Sequence, residues 1–187
     1  QKECKKDTIN YINLYAKLSE ELLAMPVIKG KKTKKERFAG AIETYTIEGF
    51  MPDGKALQCG TTHNLGQGFA KVFKISYIDK NEKKQTPWQS SWGFSTRLIG
   101  GLVMTHSDDK GLVLPPNIAP IQIAIIPIFF KDKDKVLKEA KVLEKQLKHY
   151  SVELDDRDEY TPGWKFNEWE MKGVPLRIEI GPKDIEK

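Results

Sequence analysis

The sequence predicts an α/β (α+β) chain in two parts. An antiparallel-sheet domain is expected over residues 1–118, followed by an α/β domain with a largely parallel or mixed sheet over 119–187. Three observations carry this prediction. A PDG turn separates two alternating segments, ETYTIEGFM and KALQCG, as in an antiparallel hairpin. Further on, PIQIAIIPIFF is apolar almost throughout, as in a strand covered on both faces. From there the pattern alternates strand, helix, strand, helix, strand, which describes an α/β unit. PPNIAP interrupts the chain between the two patterns and marks the junction.

Taken in order, Lys5 to Met25 places Ile9, Ile12, Leu14, Tyr15, Leu18, Leu22 and Leu23 at helical spacing, with Pro26 as the stop. KGKKTKKERF has no apolar periodicity and reads as a solvated lysine-rich surface loop, with a basic loop that meets ligand or polyanion phosphate as the alternative and Arg37 beside FAGA its most interesting member. The hairpin follows, and Leu57 to Gly60 is its second strand, with a turn after Gly60 presenting Thr61 to His63. Asn64 to Phe73 is compatible with a short helix, and SYIDKNEKKQTPWQSSW with two strands around a polar excursion. Ser95 to His106 is a helix burying Leu98, Ile99, Leu102 and Val103. In the second part, KDKDKVLKEAKVLEKQLKHY is amphipathic, with Val136, Leu137, Ala140, Leu143 and Leu147 on one side. SVELDD is a short strand, PGWKFNEWEMKG a helix ending near Gly173, and VPLRIEIG a third strand. A further helix is expected to begin at the end of the sequence.

Composition narrows the function class. Of the 187 residues 39% are hydrophobic and 30% charged, as in a globular domain rather than a disordered one. No stretch approaches the roughly 20 apolar residues of a membrane helix, so no membrane partner is expected. Cys4 and Cys59 form no redox or metal motif, which fits a reducing compartment. No two histidines stand at metal-ligand spacing: His63 is a possible ligand contact, while His106 and His149 close helices. A net charge of +5 and a pI near 9.0 allow a polyanionic partner.

Two stretches carry chemistry. QCGTTHNLGQ gathers an amide, two hydroxyls and an imidazole, which suits either a ligand pocket or a polar strand end that caps a helix. In SSWGFSTRLIGG, Ser95 opens a helix and Arg97 stands in its first turn. A cation there opposes the helix dipole by roughly 0.3–1 kcal/mol unless an anion offsets it. That anion is either a ligand phosphate or a carboxylate such as Asp108 or Asp109. No Ser–His–Asp or Cys–His set stands out as a nucleophile. Trp164 and Trp169 suit base stacking or, more plainly, packing.

GFSTRLIGGLVMTHSDDKGLVLPPNIAPIQIAIIPI resembles the third signature motif of the class II aminoacyl-tRNA synthetases running into their anticodon-binding domain. RFAGAIETYTIEGFMPDGKALQCGTTHNLGQGFAKVF and PGWKFNEWEMKGVPLRIEIGPKD narrow the resemblance to the prolyl-tRNA synthetases of archaeal and eukaryotic type, over nearly the whole sequence. The resemblance implies a partial catalytic domain, including motif 3, and a partial anticodon-binding domain. It implies proline–tRNA ligation, in which proline is activated with ATP and Mg2+ to prolyl-adenylate and passed to tRNA(Pro). It assigns nucleotide contacts to Gln58, Thr61, Ser95 and Arg97, with Arg97 stabilising charge rather than acting as a nucleophile. Proline contacts fall on His63, Trp92 and Gly93, and anticodon contacts on Glu170, Arg177, Lys183 and Asp184; no residue is assigned to a metal. A homodimer in the complete protein and a cytoplasmic location are also implied. Motifs 1 and 2 are not matched in the 187 residues, so the chain alone is expected to lack proline-dependent ATP–pyrophosphate exchange. The alternative within the same resemblance is a non-catalytic tRNA-binding or regulatory paralogue.

Overall fold

Alternating side chains on either side of the Pro52–Gly54 turn build the centre of the first unit. In the computed structural model, which describes residues 1–129 and 132–185, these are β2 (Glu43–Phe50) and β3 (Ala56–Gly66), paired antiparallel. With β1 (Ile28–Lys31) and β6 (Gln89–Gly93) they form a four-stranded antiparallel sheet in the order β1-β2-β3-β6. Lys29 to Lys31 of the expected loop are therefore strand; only the residues that follow are loop. The strand β3 also runs six residues beyond Gly60, so Thr61 and His63 are strand residues rather than turn residues. A bulge between Ile47 and Glu48 sets Gly60 and then Gln58 against them, leaving Cys59 as the extra residue.

Helix α1 (Lys2–Glu21) covers one face of this sheet, and its contact stripe is not the leucine-rich one the spacing suggests. Cys4, Thr8, Ile12, Tyr15, Ala16 and Ser19 are buried, whereas Leu14 and Leu22 are 52% and 43% exposed. Close approach to a sheet favours small residues, and two polar contacts cross the gap. Thr62 Oγ1 donates to the Thr8 carbonyl at 2.9 Å, and Cys4 Sγ to Asn64 Oδ1 at 3.3 Å. A Cβ at Gly60 would stand 3.2 Å from the Tyr15 ring. The helix ends at Glu21, ahead of Pro26, because Ala24 turns left-handed (φ 50°) and Met25 N–H bonds back to Ser19.

Beyond the sheet lie α2 (Gly68–Val72), a small hairpin of β4 (Tyr77–Ile78) and β5 (Lys84–Gln85), and α3 (Arg97–His106). Leu98 and Leu102 of α3 are buried as expected, but Ile99 is 62% exposed.

The second unit is built around β7 (Ile123–Pro127), buried at every position. It pairs in parallel with β8 (Val152–Leu154) on one side and β9 (Leu176–Ile180) on the other, giving the order β8-β7-β9. The sheet is parallel throughout the described strands. Period-2 alternation sorts β7 between two layers. Ile123 and Ile125 pack with Val136 and Ala140 of α4 (Lys133–Gln146), while Ala124 and Ile126 pack with Trp169 of α5 (Pro162–Met171). Each buried isoleucine contributes about 1.5–3 kcal/mol. Thr161 caps α5 by accepting the Trp164 N–H. A short 3-10 turn, Pro182–Asp184, follows β9. Phe130 of the expected strand, Lys131 of the expected helix, and Glu186 and Lys187 lie outside the described residues.

The two compact units divide at Thr105/His106, earlier than the junction expected at 118/119. The segment after α3 is tied to α5: Leu112 N–H donates to the Met171 carbonyl at 3.1 Å. Gly111 (φ +145°) makes that approach possible, since a Cβ there would lie 2.5 Å from Met171 Cα. The Pro115–Pro116 pair thus marks a turn inside the second unit.

Candidate functional site

The face of the antiparallel sheet turned away from α1 carries the polar residues. Register sets Thr44 of β2 opposite His63, Thr46 opposite Thr61, and Glu48 opposite Gln58. On the other edge of β3, Thr61 pairs with Gly93 and His63 with Ser91. Gln58, Thr61, Gly93, Ser95 and Arg97 together line one cavity of about 220 Å3, with Cys59, Gly60 and Phe94. Five of the residues singled out from sequence are thus brought to one place by a hairpin, an edge strand and the start of a helix.

Arg97 has no carboxylate partner among the described residues, and its own N–H is held by Ser95 Oγ at 3.3 Å. Of the two carboxylates weighed as its counter-charge, Asp108 spends an oxygen on the Lys110 N–H at 2.8 Å. The guanidinium therefore stands at the cavity wall with its donors uncommitted.

His63 adjoins the cavity through Thr61, whose Oγ1 is 3.2 Å from Nε2; Nδ1 is 3.0 Å from Thr44 Oγ1. Burial first, and the charge of Lys32 second, hold its pKa below the ordinary histidine value, so the ring is neutral at physiological pH. Phe38 tilts over it, with centroids 5.0 Å apart. Lys32 Nζ also donates to Gln58 Oε1, which leaves the Gln58 amide N–H groups to face other partners.

Trp92 departs from its expected place. It pairs in register with Thr62, one position out of phase with His63, and its ring stacks on Tyr11 of α1 at 3.9 Å and 8°. Strand alternation puts it on the opposite face of the sheet from His63.

Lys32, Phe38 and Thr44 carry no mark in the sequence: the lysine is one of many in a basic run, and the threonine is an ordinary member of ETYTIEGFM. Arg37 works structurally, donating from Nη1 to the Ile42 carbonyl at 2.7 Å and closing the loop that presents Phe38.

Of the four residues expected in the second unit, three are held by separate partners. Arg177 lies over the Phe166 ring at 4.3 Å and donates to Glu179 at 2.9 Å. Glu170 pairs with Lys110 at 3.4 Å. Asp184 turns back to accept the Gly181 N–H at 2.8 Å, on the far side of β9 from Arg177 in sequence. Trp169 is buried, its Nε1 donating to Asp155 Oδ2 at 2.9 Å, whereas Trp164 is exposed and stacked on Tyr160 at 3.9 Å.

Comparison with known proteins bears on both units. Residues 122–187 match the family described as Anticodon binding domain. The proline–tRNA ligase of Alkaliphilus oremlandii is 58% identical over 185 residues, covering 98% of this chain and 38% of that protein. That of Ruminiclostridium cellulolyticum is 59% identical over 186 residues, covering 99% of this chain and 38% of the relative. The crystal structure of prolyl-tRNA synthetase from Cryptosporidium parvum, complexed with L-proline and AMP, superimposes with a TM-score of 0.88 at 48% identity. It covers 99% of this chain and 41% of that one.

Over nearly its whole length the chain is similar to prolyl-tRNA synthetases. It spans little more than a third of the length of the curated prolyl-tRNA synthetases it matches. Within that span the α+β fold is similar to that of the Cryptosporidium parvum synthetase.

Proposed function

We propose that this chain supplies the nucleotide-facing wall and an anticodon-binding unit of a proline–tRNA ligase. The observation that carries the reading is the uncommitted Arg97 guanidinium beside Gln58, Thr61 and Ser95 in one cavity. The similarity to a synthetase complexed with L-proline and AMP supports it. In the first step a proline carboxylate oxygen attacks the α-phosphorus of ATP, and the bond to pyrophosphate breaks. In the second, a terminal ribose hydroxyl of tRNA(Pro) attacks the prolyl carbonyl and AMP departs. Neither step needs a protein nucleophile; both need alignment and compensation of developing negative charge. Arg97 offers a bidentate fork for that charge, and Thr61 and Gln58 offer neutral hydrogen-bond donors around it. His63, two residues further along the same face of the strand and neutral, is suited to a proline-side contact rather than to phosphate.

In this reading Mg2+ would accompany ATP and help to compensate the charge of its phosphates. Glu48 is a carboxylate in register with Gln58, and no group of three candidate ligands occurs among the described residues. In the second unit, Arg177 stacked on Phe166, with Glu170, Lys183 and Asp184, would meet the bases of the anticodon. The complete protein is proposed to be a cytoplasmic homodimer; among the described residues no helix is long and apolar enough to cross a membrane.

The deciding measurement is the affinity of a non-hydrolysable prolyl-adenylate analogue for the full-length protein, wild type against Arg97→Ala. Loss of a charge-assisted hydrogen bond is worth about 1.5–3 kcal/mol, so tenfold weaker binding or more is expected. Unchanged affinity would remove Arg97 from the nucleotide site.

A further inference from the structure

Thr44 is buried, and its hydroxyl meets two partners among the described residues. The Phe38 N–H donates to Oγ1 at 3.1 Å, and His63 Nδ1 lies 3.0 Å away. A hydroxyl has two acceptor lone pairs and one hydrogen. The Phe38 amide can only donate, so it occupies a lone pair. Nδ1 is then the sole acceptor offered to the hydroxyl hydrogen, and leaving a buried O–H without an acceptor is costly. The imidazole is neutral, because burial and the nearby Lys32 charge both oppose its protonated form. With Nδ1 bare, the ring proton sits on Nε2, which faces Thr61 Oγ1 at 3.2 Å. Thr61 therefore accepts from His63, and no acceptor for its own hydrogen is in reach among the described protein groups.

We infer that Thr44 is a positioning residue that fixes the polarity of the site. The relay runs from Phe38 N–H to Thr44 O–H to His63 Nδ1, and then from Nε2–H to Thr61, whose hydroxyl is left to donate into the cavity lined by Arg97. The opposite polarity would make Thr61 an acceptor and suit a ligand amine. This polarity suits an anionic or carbonyl oxygen, and so matches the charge of Arg97. The loop that supplies the first donor is held in place for it. Arg37 binds the Ile42 carbonyl, and Gly40, at φ +87°, packs so closely on Phe69 that a Cβ would lie 2.8 Å from its ring. The identity of the oxygen as one from a nucleotide or adenylate rests on the function proposed above; the relay itself does not.

Histidine-selective 15N NMR of the protein tests it. The chain has three histidines, and His63→Gln assigns the resonance. Wild type is expected to show a bare Nδ1 and a protonated Nε2 at neutral pH. Thr44→Val removes the donor and should shift the ring toward the Nδ1–H tautomer, and Thr44→Ser should restore the wild-type pattern. Prolyl-adenylate analogue affinity should fall about tenfold in Thr44→Val and recover in Thr44→Ser, the scale of one hydrogen bond. An Nδ1–H tautomer in wild type overturns the relay whatever the variants do. An Nε2–H tautomer that persists unchanged in Thr44→Val overturns the role of Thr44. If wild type shows the expected tautomer but binds no analogue, the relay stands and the nucleotide reading falls.

Discussion

The Asp155 carboxylate is fully buried and is held from three sides. Arg157 donates to both of its oxygens at 2.8 and 2.7 Å, Trp169 to one at 2.9 Å, and the buried Lys165 ammonium lies 3.5 Å away. Removing one member of such a set leaves uncompensated charge in the interior, which typically costs 3–5 kcal/mol. Asp155→Ala is therefore expected to lower the stability of the second unit by about that amount, read from denaturant midpoints at pH 7. Trp92 makes the opposite case. Trp92→Leu should cost about 1 kcal/mol through loss of the Tyr11 stack and leave adenylate-analogue affinity unaltered. A drop in affinity like that of Arg97→Ala would return Trp92 to the pocket. These two residues also mark what the sequence could show. Gln58, Thr61, Ser95 and Arg97 drew notice because they stand in two short stretches, and the structure lines one cavity with them. Which of Asp155 and Asp156 enters the core, and which sheet face Trp92 takes, depends on strand phase, and one residue of phase reverses the face.

Elements were legible where periodicity is strong and local. The central hairpin, the fully buried β7 and the helices α4 and α5 follow from alternation, apolar runs and caps. The contact face of α1 did not, because a sheet selects for close approach, and Cys4, Thr8 and Ser19 serve that better than Leu14 or Leu22. The bulge at Ile47/Glu48 hid the pairing of Thr44 with His63 in the same way: counting outward from the Pro52–Gly54 turn without it misaligns the strands by one. The loop before β2 is the element whose failure should be felt at the site. Gly40→Ala puts a side chain into left-handed backbone and against the Phe69 ring, at a cost of about 1–2 kcal/mol. Its expected signature is a small drop in melting temperature together with a changed His63 ring resonance, since Phe38 supplies both the overlying ring and the Thr44 donor. A changed melting temperature with an unchanged His63 signal would show that the loop does not govern the site.

At the scale of the molecule, the two compact units are expected to differ in acid sensitivity. Burial alone would raise the pKa of Asp155, but the hydrogen bonds from Arg157 and Trp169 and the charge of Lys165 outweigh it and bring the value down to about 2, against 3.8 for a free aspartate. A group whose pKa is depressed on folding binds fewer protons in the folded state. Its contribution is therefore complete above the unfolded value and is lost as pH falls through the folded one. The difference is worth about 2 kcal/mol, present at neutral pH and withdrawn between about pH 4 and pH 2. The Glu168 carboxyl, lowered first by its bond to Lys172 and then by Arg157, shifts in the same direction. The first unit has lowered carboxyls at Glu43, through Lys31, and at Asp79, through the Lys83 and Asn81 amides, but both pairings lie toward solvent. Amide hydrogen exchange followed from pH 5 to pH 2 should thus show protection in β7 falling more steeply than in β2 and β3, after correction for intrinsic rates. In Asp155→Asn the unit should start less stable and lose most of that steepness, because the titrating group is gone. Equal pH slopes for β7 in wild type and Asp155→Asn would mean that the acid sensitivity of the second unit resides elsewhere than in the Asp155 cluster.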